Sequence, residues 1–365
     1  MLYTPFHSWH AAHHGRLVDF AGWEMPVQYT TIVDEHHGVR KHAGLFDVAH
    51  MGRIMFRGPE AGRCLDYLVT NDVSSMPSGR IRYALVVNPQ GGVLDDVLVY
   101  RLDNDYLLVV NASNRIQILD WITAHQTDFE VVVEDVTATQ AMLAVQGPQS
   151  ADLLDPLCAH DIDELKYYTG IQTEVLGHKA LVSRTGYTGE DGFEVIAEPE
   201  TACALWETLV ERGVQPAGLG CRDTLRLEAA MPLYGHELTE QIDPLTANLQ
   251  FAVKLDAGEF IGREALRTIQ QTPRPLRRVG LELQGRRIAR EQSAVVVETE
   301  CIGQVTSGTF SPTLETSIAM AYIAADYAQP GTALNVDIRG KLMAASVVEL
   351  PFYRRPRTSN RDKSR

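Results

Sequence analysis

The sequence predicts a multidomain α+β protein, with duplicated α/β halves and a small C-terminal β-barrel, and three observations predict it. A strand, a Gly-Pro turn and a helix follow one another over residues 52–68, and the pattern returns over residues 141–157, with Gly58-Pro59 and Gly147-Pro148 at the turns. Between the copies lie three β-rich runs separated by turn signals, as in an antiparallel meander. Beyond the helix-breaking QQTPRP at residues 270–275, short β-rich runs alternate with glycine and proline.

The elements follow in chain order. Residues 1–50 are rich in histidine (His10, His13, His14, His36, His37, His42 and His50). His10 and His14 could share a helical face, but no acid or cysteine stands at a recognisable zinc spacing, so solvated or hydrogen-bonded imidazoles are expected and no metal. The first strand-turn-helix unit is residues 54–56, Gly58-Pro59 and residues 61–68. The meander takes residues 83–88, 93–101 and 106–111, with turns at PQGG (89–92) and DND (103–105). A helix from Asn114 is expected to bury Ile116, Leu119 and Ile122. The second unit is residues 142–145, Gly147-Pro148 and residues 150–157. Strands are expected at 180–183 and 193–196, and a helix at 201–212 burying Ala202, Leu205, Trp206 and Leu209. After the linker, runs at 279–283, 294–297, 302–306, 318–323 and 343–348 fit a small barrel, as they would a sandwich. The last residues, 354–365, are basic and polar, and fraying is expected there.

A chain of 365 residues exceeds one ordinary core. Its 45% hydrophobic and 22% charged content is that of a globular protein, not a disordered one. The net charge of −14 argues against nonspecific binding to nucleic acid or an anionic membrane, so an anionic ligand would need a local basic patch. The five cysteines include no C-x-x-C pair and read as reduced thiols of a cytoplasmic protein. The N-terminal sequence lacks the basic and apolar regions of a signal peptide, and no run of roughly eighteen apolar residues could span a membrane.

Two stretches carry chemistry. RTGYTGEDGFE (184–194) places Gly186, Gly189 and Gly192 among polar side chains, a pattern no helix tolerates. It reads either as a working loop or as a hairpin with glycine turns. In VLDDVLVY (93–100), strand alternation puts Asp95 with Val93, Val97 and Val99, and Asp96 with Leu94, Leu98 and Tyr100. Both carboxylates then stand among apolar neighbours, where a charge is costly unless paired or working. A strand end emerging into a polar turn is the alternative, and periodicity does not choose. Neither a dinucleotide-binding G-x-G-x-x-G nor a Walker lysine occurs in context.

These two stretches, with DFAGWEMP (19–26), LFDVAHMG (45–52) and AGLGCRD (217–223), resemble the T-proteins of the glycine cleavage system, the aminomethyltransferases. The resemblance runs in the family's order from the first residues to about Arg354, which leaves no room for a transit peptide. It implies a folate-binding fold with domains at 1–50 plus 135–270, 51–134 and 275–352, and a basic tail at 355–365. It implies transfer of the one-carbon unit from the aminomethyl-lipoyl arm of the H-protein to tetrahydrofolate, giving 5,10-methylenetetrahydrofolate, ammonia and dihydrolipoyl H-protein. The second aspartate of the motif, Asp96, takes the catalytic role. Glu194, Arg222 and Tyr353 match substrate-binding positions, and Tyr83, Asn111 and Tyr187 are expected as pocket walls.

Two other readings share the resemblance. One is a folate-dependent demethylase, the other a non-catalytic folate-binding protein; the latter carries K-G-C-Y-x-G-Q-E where this chain has RTGYTGEDGFE. Arg222 could instead bridge Asp223 or Glu228, and Tyr353 could be a strand-end aromatic. The chain departs from the family at His236-Glu237 and at ANLQF (247–251), which replaces a tryptophan-containing version and bears on the pocket wall. Residues 274–290 hold Arg274, Arg277, Arg278, Arg286, Arg287 and Arg290 against the acid Glu282, a basic face suited to an acidic carrier protein or simply a solvated run.

Overall fold

The computed structural model describes residues 1–356. Its centre is two β-sheets packed face to face with helices outside. One sheet has the order Gly170–Val175, His178–Ser183, Gly192–Ala197, Ala141–Gln146, Gly44–Asp47, Gln215–Pro216. The other runs Ile81–Val87, Val93–Arg101, Tyr106–Val110, Gly52–Arg57, Val132–Asp135. In Ala141–Gln146 every residue is buried, because both faces of its sheet are covered. Leu143 and Val145 face the helix Pro199–Glu211, against Leu205, Trp206 and Leu209. Met142 and Ala144 face the other sheet, against Tyr100, Leu107 and Val109. The helices Ala61–Leu68 and Arg115–His125 cover the outside of that second sheet.

The strands Leu276–Leu283, Thr316–Ala324, Glu300–Ser311, Ala294–Val297, Ala333–Ile338 and Lys341–Val348 close into a barrel, so the barrel expectation holds and the sandwich does not. Ala333–Ile338 escaped the sequence reading because its outward positions hold Asn335 and Asp337, poor strand formers, while Leu334, Val336 and Ile338 point inward. The helices Ile32–Lys41, Leu219–Glu228 and Arg263–Gln271 were not read either. In Arg115–His125 the core residues are Ile118 and Ile122, one helical turn apart, whereas Ile116 is 59% exposed. His10 and His36 are buried and hydrogen-bonded: His10 lies 2.9 Å from Asp47 and 2.7 Å from the Tyr29 hydroxyl. Of the expected basic tail, residues 357–365 lie outside the described residues.

Glu228 fixes the barrel against the sheets. Its buried carboxylate receives Arg40 Nη2 at 2.7 Å, the Thr313 amide at 3.1 Å and the Ser311 hydroxyl, and lies 3.2 Å from His36 Nε2. Burial works to raise this carboxyl, but the His36 hydrogen bond and the charges of His36 and Arg40 outweigh it and hold it at about 2. Burial also lowers His36, so near neutral pH Arg40 is the lasting cation. Removing one partner from such a site leaves a buried charge uncompensated. Glu228→Gln should lose about 3 kcal/mol in urea unfolding; a loss below about 0.5 kcal/mol, the worth of a surface pair, would refute this role.

Candidate active site

A cavity of about 870 Å³ opens where the two sheets, the segment 230–251 and the barrel meet. One wall belongs to the meander. The strand Val93–Arg101 is bulged: Asp95 pairs with Val86 but Val93 with Val87, leaving Leu94 extra. Simple alternation therefore fails at this end. Val93 packs with Leu85 and Val87, while Leu94 joins Val97 and Val99 under the helices. Asp95 is fully buried behind the strand, and Asp96 turns to the cavity beside Leu98.

Asn111 ties the two acids together. Its side-chain amide donates to Asp95 Oδ1 at 2.7 Å and Asp96 Oδ1 at 2.8 Å, and its backbone N–H donates to Asp95 Oδ2 at 3.0 Å. Asn114 adds a bond to Asp95 Oδ1 at 2.7 Å, and the Tyr83 hydroxyl donates to Asp96 Oδ2 at 3.1 Å. Burial raises both carboxyls, pushing Asp95 up to about 8 with the help of the neighbouring Asp96 charge. Asp95 receives three N–H donors from the protein side, whereas Asp96 faces the cavity.

The glycine-rich stretch closes a hairpin. His178–Ser183 pairs with Gly192–Ala197, placing Ser183 opposite Glu194. A Cβ at Gly186 or Gly192 would stand 1.9 Å or 2.4 Å from the Gln146 amide, and Gly189 has a φ of +79°. The loop therefore closes over Gln146, which donates to the Thr185 carbonyl at 3.0 Å. Glu194 emerges into the cavity with the Thr185 hydroxyl on its Oε2 and Tyr100 at 3.5 Å. Burial raises its carboxyl against the pull of Thr185 and Arg222.

Arg222 also lines the cavity. It does not bridge Asp223 or Glu228: its guanidinium lies 4.8 Å from the Tyr187 ring centroid, with Nη1 buried and without a hydrogen bond among the described residues. Asp223 pairs instead with Arg226 at 2.7 Å, which also meets Glu237 at 2.8 Å, and Glu228 pairs with Arg40. Glu237 is thus a support, while His236 is a wall residue. Tyr187 is fixed by its hydroxyl on the Pro232 carbonyl.

Tyr83, Asp96, Asn111, Tyr187, Glu194 and Arg222 thus share one cavity, and Tyr353 does not line it. The Tyr353 ring lies 4.0 Å from the Arg40 guanidinium, and its backbone N–H donates to the Glu228 carbonyl at 2.8 Å. The wall also holds His50 and Arg278, which the sequence did not place there, and Phe251 of ANLQF, the stretch expected to bear on it. His50 is buried with Nδ1 unpartnered, and burial pushes it down to about 4, so it is neutral. Its place in LFDVAHMG was the signal available. Arg278 is inward, not part of a surface face, whereas Arg277, Arg286, Arg287 and Arg290 are exposed. The cavity offers two acidic corners, spare guanidinium donors on Arg222 and Arg278, and aromatic walls, a receptor for a flat polar heterocycle.

The acid pair has a thermodynamic signature. A carboxyl whose pKa is higher folded than unfolded binds more protons in the native state between the two values, so its contribution falls as pH rises through that window. Asp96→Asn removes one of the two charges. Its melting temperature relative to wild type should rise from pH 5 to pH 8; an offset that does not change with pH would refute the coupling.

With this geometry in hand, the relatives are informative. The GCVT N-terminal domain model matches residues 6–257, and the glycine cleavage T-protein C-terminal barrel domain matches residues 277–354. An aminomethyltransferase of Saccharopolyspora erythraea is 47% identical, covering 96% of this chain and 98% of its own. One from Rubrobacter xylanophilus is 50% identical, covering 97% and 95%. A crystal structure of glycine cleavage system aminomethyltransferase T from Bartonella henselae superposes with a TM-score of 0.91 at 34% identity, over 96% of this chain and 98% of that one. By sequence along nearly its whole length and by fold, the chain belongs to the glycine cleavage T-protein family.

Proposed function

We propose that this aminomethyltransferase of the glycine cleavage system transfers the methylene carbon from the aminomethyl-lipoyl arm of H-protein to tetrahydrofolate, with Asp96 as its catalytic group. The observation that carries the assignment of roles is the coupled Asp95–Asp96 pair on the wall of a cavity that also holds Glu194 and Arg222. The demethylase and the non-catalytic readings are not favoured, since the full-length relatives are named aminomethyltransferases.

The residue types fit the chemistry. The pterin edge of tetrahydrofolate presents paired N–H donors, which match the Glu194 carboxylate as a bidentate acceptor. Tyr83 and Tyr187 cover the ring faces, and Arg222 offers its unpaired Nη1 to the pterin carbonyl. In the reaction the S–C and C–N bonds of the aminomethyl thioether break and bonds from N5 and N10 to that carbon form. Two N–H protons leave the folate, and they end on ammonia and on the lipoyl sulfur. Asp96, aligned by Asn111 and Tyr83, receives a proton as the folate nitrogen attacks and returns it to a leaving group. Tyr353 acts at a distance, through Arg40 and the Glu228 cluster. The reaction needs no metal in this scheme.

The H-protein is the carrier partner, and the exposed arginines Arg277, Arg286, Arg287 and Arg290 are its docking cations. The free cysteines suit a reducing cytoplasm. Among the described residues no helix is long and apolar enough to cross a membrane.

In a coupled assay with aminomethyl-lipoyl H-protein and tetrahydrofolate, Asp96→Asn should lose about 10²- to 10⁴-fold in kcat while folate still binds. Glu194→Gln should chiefly weaken folate binding, by about tenfold or more. Undiminished turnover in Asp96→Asn would remove it from the chemistry. Transfer from H-protein should slow with rising salt while transfer from free aminomethyl-lipoamide does not; equal salt dependence would exclude the basic face as the dock.

A further inference from the structure

A glycine-rich loop is costly to order, because glycine gives up more backbone freedom on folding than any other residue. Residues 184–191 are nevertheless held, with the Thr185 hydroxyl on Glu194 and Tyr187 in the cavity wall. From within, Gln146 donates to the Thr185 carbonyl and accepts from the Thr188 hydroxyl, each at 3.0 Å, and the Gly147 N–H donates to the Asp191 carbonyl at 2.8 Å. From outside, the holder is Arg40 of the helix Ile32–Lys41.

Arg40 divides its guanidinium between two acids. Nη1 donates to the Thr188 carbonyl at 2.8 Å and to Glu190 Oε1 at 3.0 Å, in an ion pair whose side chains are both 5% exposed. Nε and Nη2 donate to Glu228 Oε2 at 3.1 Å and 2.7 Å. Glu228 is in turn bonded to Ser311 and Thr313 of the barrel domain. The segment that leaves the barrel closes over the same place: the Tyr353 ring lies 4.0 Å from the Arg40 guanidinium, and Arg355 Nη1 lies 3.4 Å from Asp191 Oδ1. Arg40 and Glu190 do not line the cavity themselves.

We propose that Arg40 is a positioning residue for the transfer reaction: through Glu190 and the Thr188 carbonyl it clamps the glycine-rich loop against the docked barrel, and so keeps Thr185 and Tyr187 in place around the acceptor. The inference rests on the folate reading above and adds to it a pair outside the cavity, Arg40 and Glu190, on which acceptor binding depends. An arginine suits this task because its planar guanidinium presents donors on both edges and serves the two carboxylates at once, which a lysine ammonium does as a single point charge. Loop and barrel thus share one cation, and a displaced Arg40 would leave two buried carboxylates without it.

The test uses the full chain and two variants that leave Glu228 a counter-charge. Glu190→Gln removes the loop's anion alone, and Arg40→Lys keeps a cation beside Glu228 without the fork. In the coupled assay with aminomethyl-lipoyl H-protein, both should raise the KM for tetrahydrofolate about 5- to 20-fold and keep kcat at saturating folate within about twofold of wild type. In hydrogen exchange without ligand, the backbone amides of residues 185–191 should exchange about tenfold faster, while those of the barrel strands Leu276–Leu283 and Thr316–Ala324 exchange as in wild type. An unchanged KM or unchanged loop exchange would overturn the proposal. So would exchange that quickens equally in loop and barrel, as a merely structural role predicts, or a fall in kcat at unchanged KM. A wild type without folate turnover would sink the folate reading, and loop exchange in the variants would still decide the clamp.

Discussion

Two carboxylates side by side on a buried strand are the constraint around which the rest of this protein is arranged. Asp95 and Asp96 cannot both ionise cheaply away from water, and strand alternation sends them to opposite faces, Asp95 behind the strand and Asp96 to the cavity. The Asn111 amide bridging both acids and Asn114 behind Asp95 supply the hydrogen bonds they need. Asp95 is satisfied from the protein side, and its neighbour is left facing the cavity with a raised pKa. Such a pair is unfavourable for a scaffold and suits the proton transfer proposed for Asp96.

The cavity exists because three packed bodies meet there without filling the junction. The sheets contribute Asp96 and Glu194, the helix Leu219–Glu228 contributes Arg222, and the barrel contributes Arg278. Around the junction, charge clusters are closed: Glu228 with Arg40 and the barrel hydroxyls, Arg226 with Asp223 and Glu237. Inside it, guanidiniums keep donors unspent on Arg222 and Arg278. The contrast between satisfied clusters at the seams and unsatisfied cations in the wall separates the groups that hold the bodies together from those available to a ligand.

Much of this was legible in the chain. The strand-Gly-Pro-helix units, the meander and the helix burying Leu205, Trp206 and Leu209 follow from local periodicity, which is a property of a few adjacent residues. The family motifs named Asp96 and Glu194. Local pattern failed where a second body supplied the deciding contact. Ile116 looked like core on the helical stripe, yet the sheet beneath takes Ile118 and Ile122. The helix Leu219–Glu228 is packed from several sides, and no clean stripe marks it.

The sequence by itself determined the fold class, the family and the identity of the acidic groups, because these depend on short-range spacing and on motifs continuous in the chain. Only the tertiary structure decided which arginines face inward. Arg277 and Arg278 are neighbours in one basic run, and one is exposed while the other is buried in the cavity wall. It likewise took Tyr353 out of the cavity and put His50 into it. The physical reason is that a side chain's partner is set by what packs across from it, and across from these residues lie segments far away in the chain.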